Sequence, residues 1–177
     1  MSYKRGHASL QWCSEIFMNL PWCREPFNDS VQRSKWITAG YRPVESSGAW
    51  VDISNSAFPD IVETQFGSWM GLNDIGLTIY KMETDEILPV HFDTYKYYKN
   101  LFKLDSSVDI VRTIVFLKDW SSGHYIEIDG RAHVEWKAGD WFMWKNDTPH
   151  MAANIGLEPR YTLQITGWIE KGQWEFL

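Results

Sequence analysis

From Gly76 onward the chain is a succession of short apolar or alternating runs, each closed by turn-forming residues. The runs are Leu77–Met82, Leu88–Thr94, Ile110–Leu117, His124–Ile128, His133–Trp136, Asp140–Trp144 and Tyr161–Trp168. Between several of them lie Ser121-Ser122-Gly123, Asp129-Gly130, Ala138-Gly139 and Asn146-Asp147. Such short segments, bounded in this way, predict seven or eight strands. No long helical periodicity separates them, so the pattern predicts an all-β sandwich or barrel rather than a parallel sheet with crossover helices. The N-terminal part reads differently. Leu10, Cys13, Ile16, Phe17 and Leu20 recur at helical spacing and stop at Pro21, predicting one short amphipathic helix. From Arg24 to Ser68, frequent Pro, Gly, Ser and Asn predict loops with one or two short strands or helical turns. The expected architecture is mainly β with a small number of N-terminal helices. We read it as a single domain with a flanking region (1–75), a strand core (76–169) and a tail (170–177).

Composition narrows the class. A chain of 177 residues suits one domain with a real core, and 44% hydrophobic against 23% charged residues is the balance of a soluble globular protein. The net charge of −6 shows no basic footprint, which disfavours nucleic acid as a partner. Cys13 and Cys23 form neither a zinc framework nor a secreted disulfide scaffold. No signal-peptide h-region follows the first residues, and no run reaches the ~18 apolar residues of a membrane span. The expectation is a cytoplasmic protein with reduced thiols and no membrane partner. Aromatic residues reach 16%, with 11 Trp; they fill the core first, and any surplus is available to line a ligand cleft.

Candidate chemistry centres on Pro89-Val90-His91-Phe92-Asp93. Residues two apart in a strand face the same way, so His91 and Asp93 are expected to point together while Phe92 points away. An imidazole and a carboxylate so placed can hold two adjacent positions of one metal ion. His150 lies far enough downstream to return on a facing strand and supply a third. Two histidines and one carboxylate leave positions open, which suits non-haem Fe(II); zinc accepts the same set. Arg160 opens the next run and shares a face with Thr162. A guanidinium fork with a neighbouring hydroxyl is a grip for a carboxylate.

His91-x-Asp93, His150 and Arg160-x-Thr162, with the intervening Arg112–Leu117 and Ala138–Phe142 runs, resemble the Fe(II)/2-oxoglutarate-dependent oxygenases of the double-stranded β-helix (jelly-roll, cupin-like) fold. The prolyl- and aspartyl-hydroxylase branches look most similar. The resemblance covers roughly residues 76–169, and departs where Gly123-His124 stands for the Gly-Gly of many prolyl hydroxylases. It implies Fe(II) held by His91, Asp93 and His150, with 2-oxoglutarate as cosubstrate and O₂ as oxidant. The far carboxylate of 2-oxoglutarate would meet Arg160 and Thr162, with Tyr80 on its tail. The implied reaction hydroxylates a small molecule or peptide and releases succinate and CO₂. Halogenating members carry a small residue where Asp93 stands, so desaturation or demethylation are the nearer relatives of that reaction.

Other residues carry less. Arg112 and Asn100 could reach the pocket, but Arg112 reads first as an ordinary strand-end residue. His124 and His133 could approach each other across the Asp129-Gly130 turn, and read as surface or half-buried histidines without a metal. Asp140 serves its turn. Two rival readings remain: a metal cupin that uses no 2-oxoglutarate, and a non-enzymatic jelly-roll module that binds a ligand.

Overall fold

The alternating runs become antiparallel strands. In this computed structural model, which describes residues 2–9, 20–24, 29–41, 49–52 and 71–177, they are β1 (Tyr3–His7), β2 (Cys23–Arg24), β3 (Ala49–Asp52), β4 (Asn73–Met82), β5 (Glu86–His91), β6 (Val108–Phe116), β7 (His124–Ile128), β8 (Arg131–His133), β9 (Asp140–Lys145), β10 (His150–Asn154) and β11 (Arg160–Glu170). Helices α1 (Ser30–Thr38) and α2 (Lys96–Leu101) are the α-helices among the described residues. The helix expected over Leu10–Leu20 lies almost wholly outside them.

The larger sheet has the order β1-β9-β6-β11-β4-β3-β2 and the smaller one β5-β10-β7-β8. From β4 the chain crosses between sheets at almost every step, with only β7 and β8 sharing a sheet as neighbours in sequence. Strands β9-β6-β11-β4 of the larger sheet and the four strands of the smaller one, wound in this way, form a double-stranded β-helix. The strand pattern predicted a sandwich or barrel, and the resemblance implied this jelly-roll or cupin-like form of it.

Period-two alternation in β11 divides its two faces by chemistry. Tyr161, Leu163, Ile165 and Ile169 join Leu77, Ile79, Val111, Val115 and Met143 in a core on the outer side of the larger sheet. Leu20, Trp22 and Leu177 pack against it. The opposite face of β11 carries Arg160, Thr162, Gln164 and Thr166 between the sheets. There a second core of Ile114, Phe116, Ile126, Ile128, Phe142 and Trp144 fills one side of the interior. Trp136 closes this core, stacking on Phe116 with centroids 3.9 Å apart.

Three boundaries differ from the sequence pattern. The strand read as Leu88–Thr94 ends at His91, because its ladder partner β10 begins at His150, directly opposite. The run His133–Trp136 is strand only to His133, since β8 pairs with the short stretch Ile126–Ile128 and Trp136 turns inward. Asp129 and Gly130 join β7 to β8 with φ of 51° and 72°, the paired positive values of a tight hairpin turn. Finally, β1 was not foreseen; its Lys4-Arg5-Gly6 centre carries no apolar alternation, and it exists as a strand through its ladder to β9.

At the far end of β10, fully buried Asn154 binds three backbone groups. Its Nδ2 donates to the carbonyls of Met82 and Glu158, both at 2.9 Å, and its Oδ1 accepts from Gly156 N at 3.0 Å. These bonds shape the loop that leads into Arg160. Asn154→Ala leaves several of these groups buried without partners and should lower stability by about 2–4 kcal/mol, measured by urea unfolding.

Candidate metal centre

His91, Asp93 and His150 come together at one end of the smaller sheet, each offering a donor atom within 4.8 Å of the others. Register explains the two histidines: β5 and β10 place His91 and His150 directly opposite, with ring centroids 4.3 Å apart. Asp93 arrives from just past the end of β5, and its oxygens lie 3.7 Å from His91 Nε2 and 3.7 Å from His150 Nε2.

Both imidazoles are oriented by their other nitrogen. His91 Nδ1 lies 2.8 Å from the Pro89 carbonyl and His150 Nδ1 lies 3.0 Å from the Thr148 carbonyl. A carbonyl only accepts, so each Nδ1 donates its proton there, and each Nε2 is the nitrogen turned toward Asp93. Trp36 packs edge-on against His91 at 5.9 Å, and Trp144 lies 4.9 Å from the His150 ring. Helix α1, capped by Asp29 accepting from Val31 N and Gln32 N, supplies Trp36. Trp36 Nε1 and Gln32 Nε2 each donate to the Val90 carbonyl at 3.0 Å, closing the outer edge of β5 beside His91.

Burial pushes the His150 imidazole down to about 4, against the opposing pull of Asp93, so it is neutral at physiological pH. Burial alone would raise the Asp93 carboxyl, but Arg112, and after it His91 and His150, hold it well below the ordinary carboxylate range. A neutral His150 beside an ionised Asp93 is the protonation state a divalent cation requires of these two groups.

Arg160, Thr162 and Tyr80 meet deeper in the interior. Thr162 is buried and paired across the ladder with Tyr80 on the same inner face. Arg160 is buried; its Nη1 donates to the Tyr125 carbonyl at 2.9 Å, and its Nε has no hydrogen-bond partner. Burial lowers its pKa to about 10, which Tyr80 partly offsets, so it remains a cation at neutral pH. Tyr125 pairs with Ala153 on β10, three residues from His150, which puts this anchor about 10 Å from the triad at ~3.4 Å per residue.

Arg112 is no simple strand-end residue. Its Nη2 lies 3.5 Å from Asp93 Oδ2, its Nε donates to the Tyr95 hydroxyl at 3.2 Å, and its Nη1 donates to Gln164 Oε1 at 2.8 Å. Tyr95 itself donates to Asp93 Oδ2 at 2.7 Å. Burial, with Asp93 reinforcing it against Arg112, holds the Tyr95 phenol protonated and therefore a donor. Tyr95 has φ of 51°, a left-handed conformation that costs a non-glycine residue about 1–2 kcal/mol. Sequence reasoning missed Tyr95 and Gln164. The signal for Tyr95 was the same i, i+2 step that joined His91 to Asp93. Asn100 lies exposed on α2. His124 is buried rather than superficial, its Nε2 donating to the Glu158 carbonyl at 2.7 Å, while His133 pairs opposite Ile126 and not His124. Asp140 does serve its turn, accepting from Lys137 N at 2.7 Å.

No protein-family model and no curated protein sequence matches the chain. Solved structures do. A Pseudomonas putida prolyl-4-hydroxylase is 15% identical and covers 97% of this chain and 94% of its own, with a TM-score of 0.53. The non-haem α-ketoglutarate-dependent epimerase SnoN from nogalamycin biosynthesis is 11% identical, covers 96% and 78%, and has a TM-score of 0.52. The cupin domain of Schizosaccharomyces pombe Cnp3 is 9% identical and matches 69% of this chain, which spans 65% of that domain, at a TM-score of 0.44. At these identities the likeness is one of fold: the chain is a double-stranded β-helix of the cupin-like kind. No helix among the described residues is long and apolar enough to cross a membrane.

The depressed His150 pKa has a thermodynamic consequence in metal-free protein. The unfolded histidine takes up its proton near pH 6.5 while the folded one does so near 4, so the unfolded state binds more protons between these values. Stability should therefore be full above pH 6.5 and fall by about 3 kcal/mol as pH drops to 4. Urea titrations across this range should show a shallower pH dependence for His150→Gln.

Proposed function

We propose that this protein is an Fe(II)- and 2-oxoglutarate-dependent oxygenase that hydroxylates an unactivated C–H bond of a small molecule or peptide, releasing succinate and CO₂. The observation that carries this reading is Arg160, a buried cation with an unpartnered Nε, on the inner face of the strand that faces the triad. Among the described residues no carboxylate pairs with it; a buried charge so placed is costly, and an anion entering the interior would relieve it.

The residues present fit both groups. His91, Asp93 and His150 are a two-histidine, one-carboxylate set whose donor atoms converge within 4.8 Å, the donor chemistry suited to non-haem Fe(II). Arg160 would take the far carboxylate of 2-oxoglutarate, with Thr162 and Tyr80 beside it. The gap between Arg160 and the triad is one that a five-carbon keto diacid and an arginine side chain can share. Fe(II), 2-oxoglutarate and O₂ together would supply the oxidising power. The chain's part is to fix the imidazoles through the Pro89 and Thr148 carbonyls, to align the cosubstrate from Arg160, and to exclude water with Phe116, Ile128 and Trp144. Asp93 occupies the place a halide would need, which favours hydroxylation.

Anaerobic addition of Fe(II) and 2-oxoglutarate should produce a weak visible charge-transfer band, absent in His91→Ala, and O₂ should then yield succinate. Metal binding without the band or succinate would leave a cupin enzyme that uses no 2-oxoglutarate; no metal binding would leave a ligand-binding jelly roll. Arg160→Ala removes a charge-assisted grip and should weaken 2-oxoglutarate binding about 10- to 100-fold in the same titration, with Fe(II) binding near wild type. Equal loss of both would make Arg160 a structural residue.

A further inference from the structure

The Asp93 carboxylate is gripped at Oδ2, the oxygen nearer His150, by residues that the oxygenase reading leaves without a role. Tyr95 donates to Oδ2 at 2.7 Å, and Arg112 Nη2 stands 3.5 Å from that oxygen. Arg112 also donates through Nε to the Tyr95 hydroxyl and through Nη1 to Gln164, and its guanidinium lies 5.2 Å from the centroid of the Tyr95 ring. All three nitrogens of Arg112 are thus engaged within the protein, so it is a fixed charge and not a free hand for substrate.

Two consequences follow for a metal at this centre. A carboxylate oxygen has two lone pairs, and those of Oδ2 are directed to the phenol and the guanidinium. Oδ1, 3.7 Å from His91 Nε2, has neither of these partners, whereas Oδ2, equally 3.7 Å from His150 Nε2, has both, so Oδ1 is the more available ligand atom. In addition, the negative charge of Asp93 is matched by Arg112 before any ion binds. A divalent cation among two neutral imidazoles and this neutralised carboxylate keeps a net charge near two rather than one, which strengthens its attraction for anions.

We propose that Tyr95 and Arg112 are positioning residues of the centre: Tyr95 fixes which Asp93 oxygen faces the metal, and Arg112 sets a surplus positive charge that makes the loaded site select anionic ligands. This rests on the reading that His91, Asp93 and His150 hold a divalent ion, and it adds a reason why a dianionic cosubstrate would be retained there.

Co(II) as the metal and azide as the anion test the proposal without turnover. Wild-type protein should bind Co(II) with visible ligand-field bands that azide perturbs. Tyr95→Phe removes one oxygen atom and should weaken Co(II) binding about 10-fold, in line with the loss of an outer contact to a metal ligand. Arg112→Gln should lower azide affinity of the Co(II)-loaded site about 10-fold, and Arg112→Lys should recover most of it by restoring the charge. Thermal unfolding of each metal-free variant identifies any that fails to fold; Arg112→Met, which keeps the bulk, then replaces Arg112→Gln. Wild-type Co(II) affinity in Tyr95→Phe, or wild-type azide affinity in the folded charge-removed variant, overturns the proposal alone. Failure of the wild-type protein to bind Co(II) overturns it together with the metal reading.

Discussion

The register between β5 and β10 is the constraint on which the rest depends. It sets His150 opposite His91, and a slip of one residue would turn one imidazole out of the interior and dissolve the triad. The opposite side of β10 is held by an unbroken ladder to β7, from His150↔Ile128 to Asn154↔His124. The free edge of β5 is capped by α1. The small sheet is thus pinned from both sides at the strand pair that carries the histidines.

Within that frame the interior is divided by chemistry. Phe116, Ile126, Ile128, Phe142 and Trp144 form a dry wall over β6, β7 and β9, while β11 presents Arg160, Thr162, Gln164 and Thr166. The hydrophobic residues of β11 lie on its other face, in the outer core. A strand that faces its polar side inward is stable here because the outer face supplies the burial. Arg112 and Gln164 then extend the polar lane from Arg160 to Asp93.

Much of this was legible from alternation and spacing. The strands β6, β7, β9 and β11 follow their apolar runs closely, because β-branched and aromatic residues fill them. His91-x-Asp93 was legible as a pair although Asp93 lies just beyond the strand. Strand β10 was harder to see: His-Met-Ala-Ala-Asn lacks β-branched residues and is a strand through its two neighbours. The grip on Asp93 was the least visible part. It depends on Tyr95 adopting a left-handed backbone and on Arg112 arriving from a strand that pairs with β11 and β9, relations made only by the folded sheet.

The position of β11 governs how such a molecule is assembled. It is the last strand in sequence, yet it lies between β4 and β6 and pairs with both. During synthesis β4 and β6 must wait as two unsatisfied edges until this segment emerges, exposed to pairing with other chains. Insertion closes ladders between residues far apart in sequence, which makes it a slow step. Arg160, at the head of β11, enters with it, so the polar interior gains its buried cation only when the larger sheet closes.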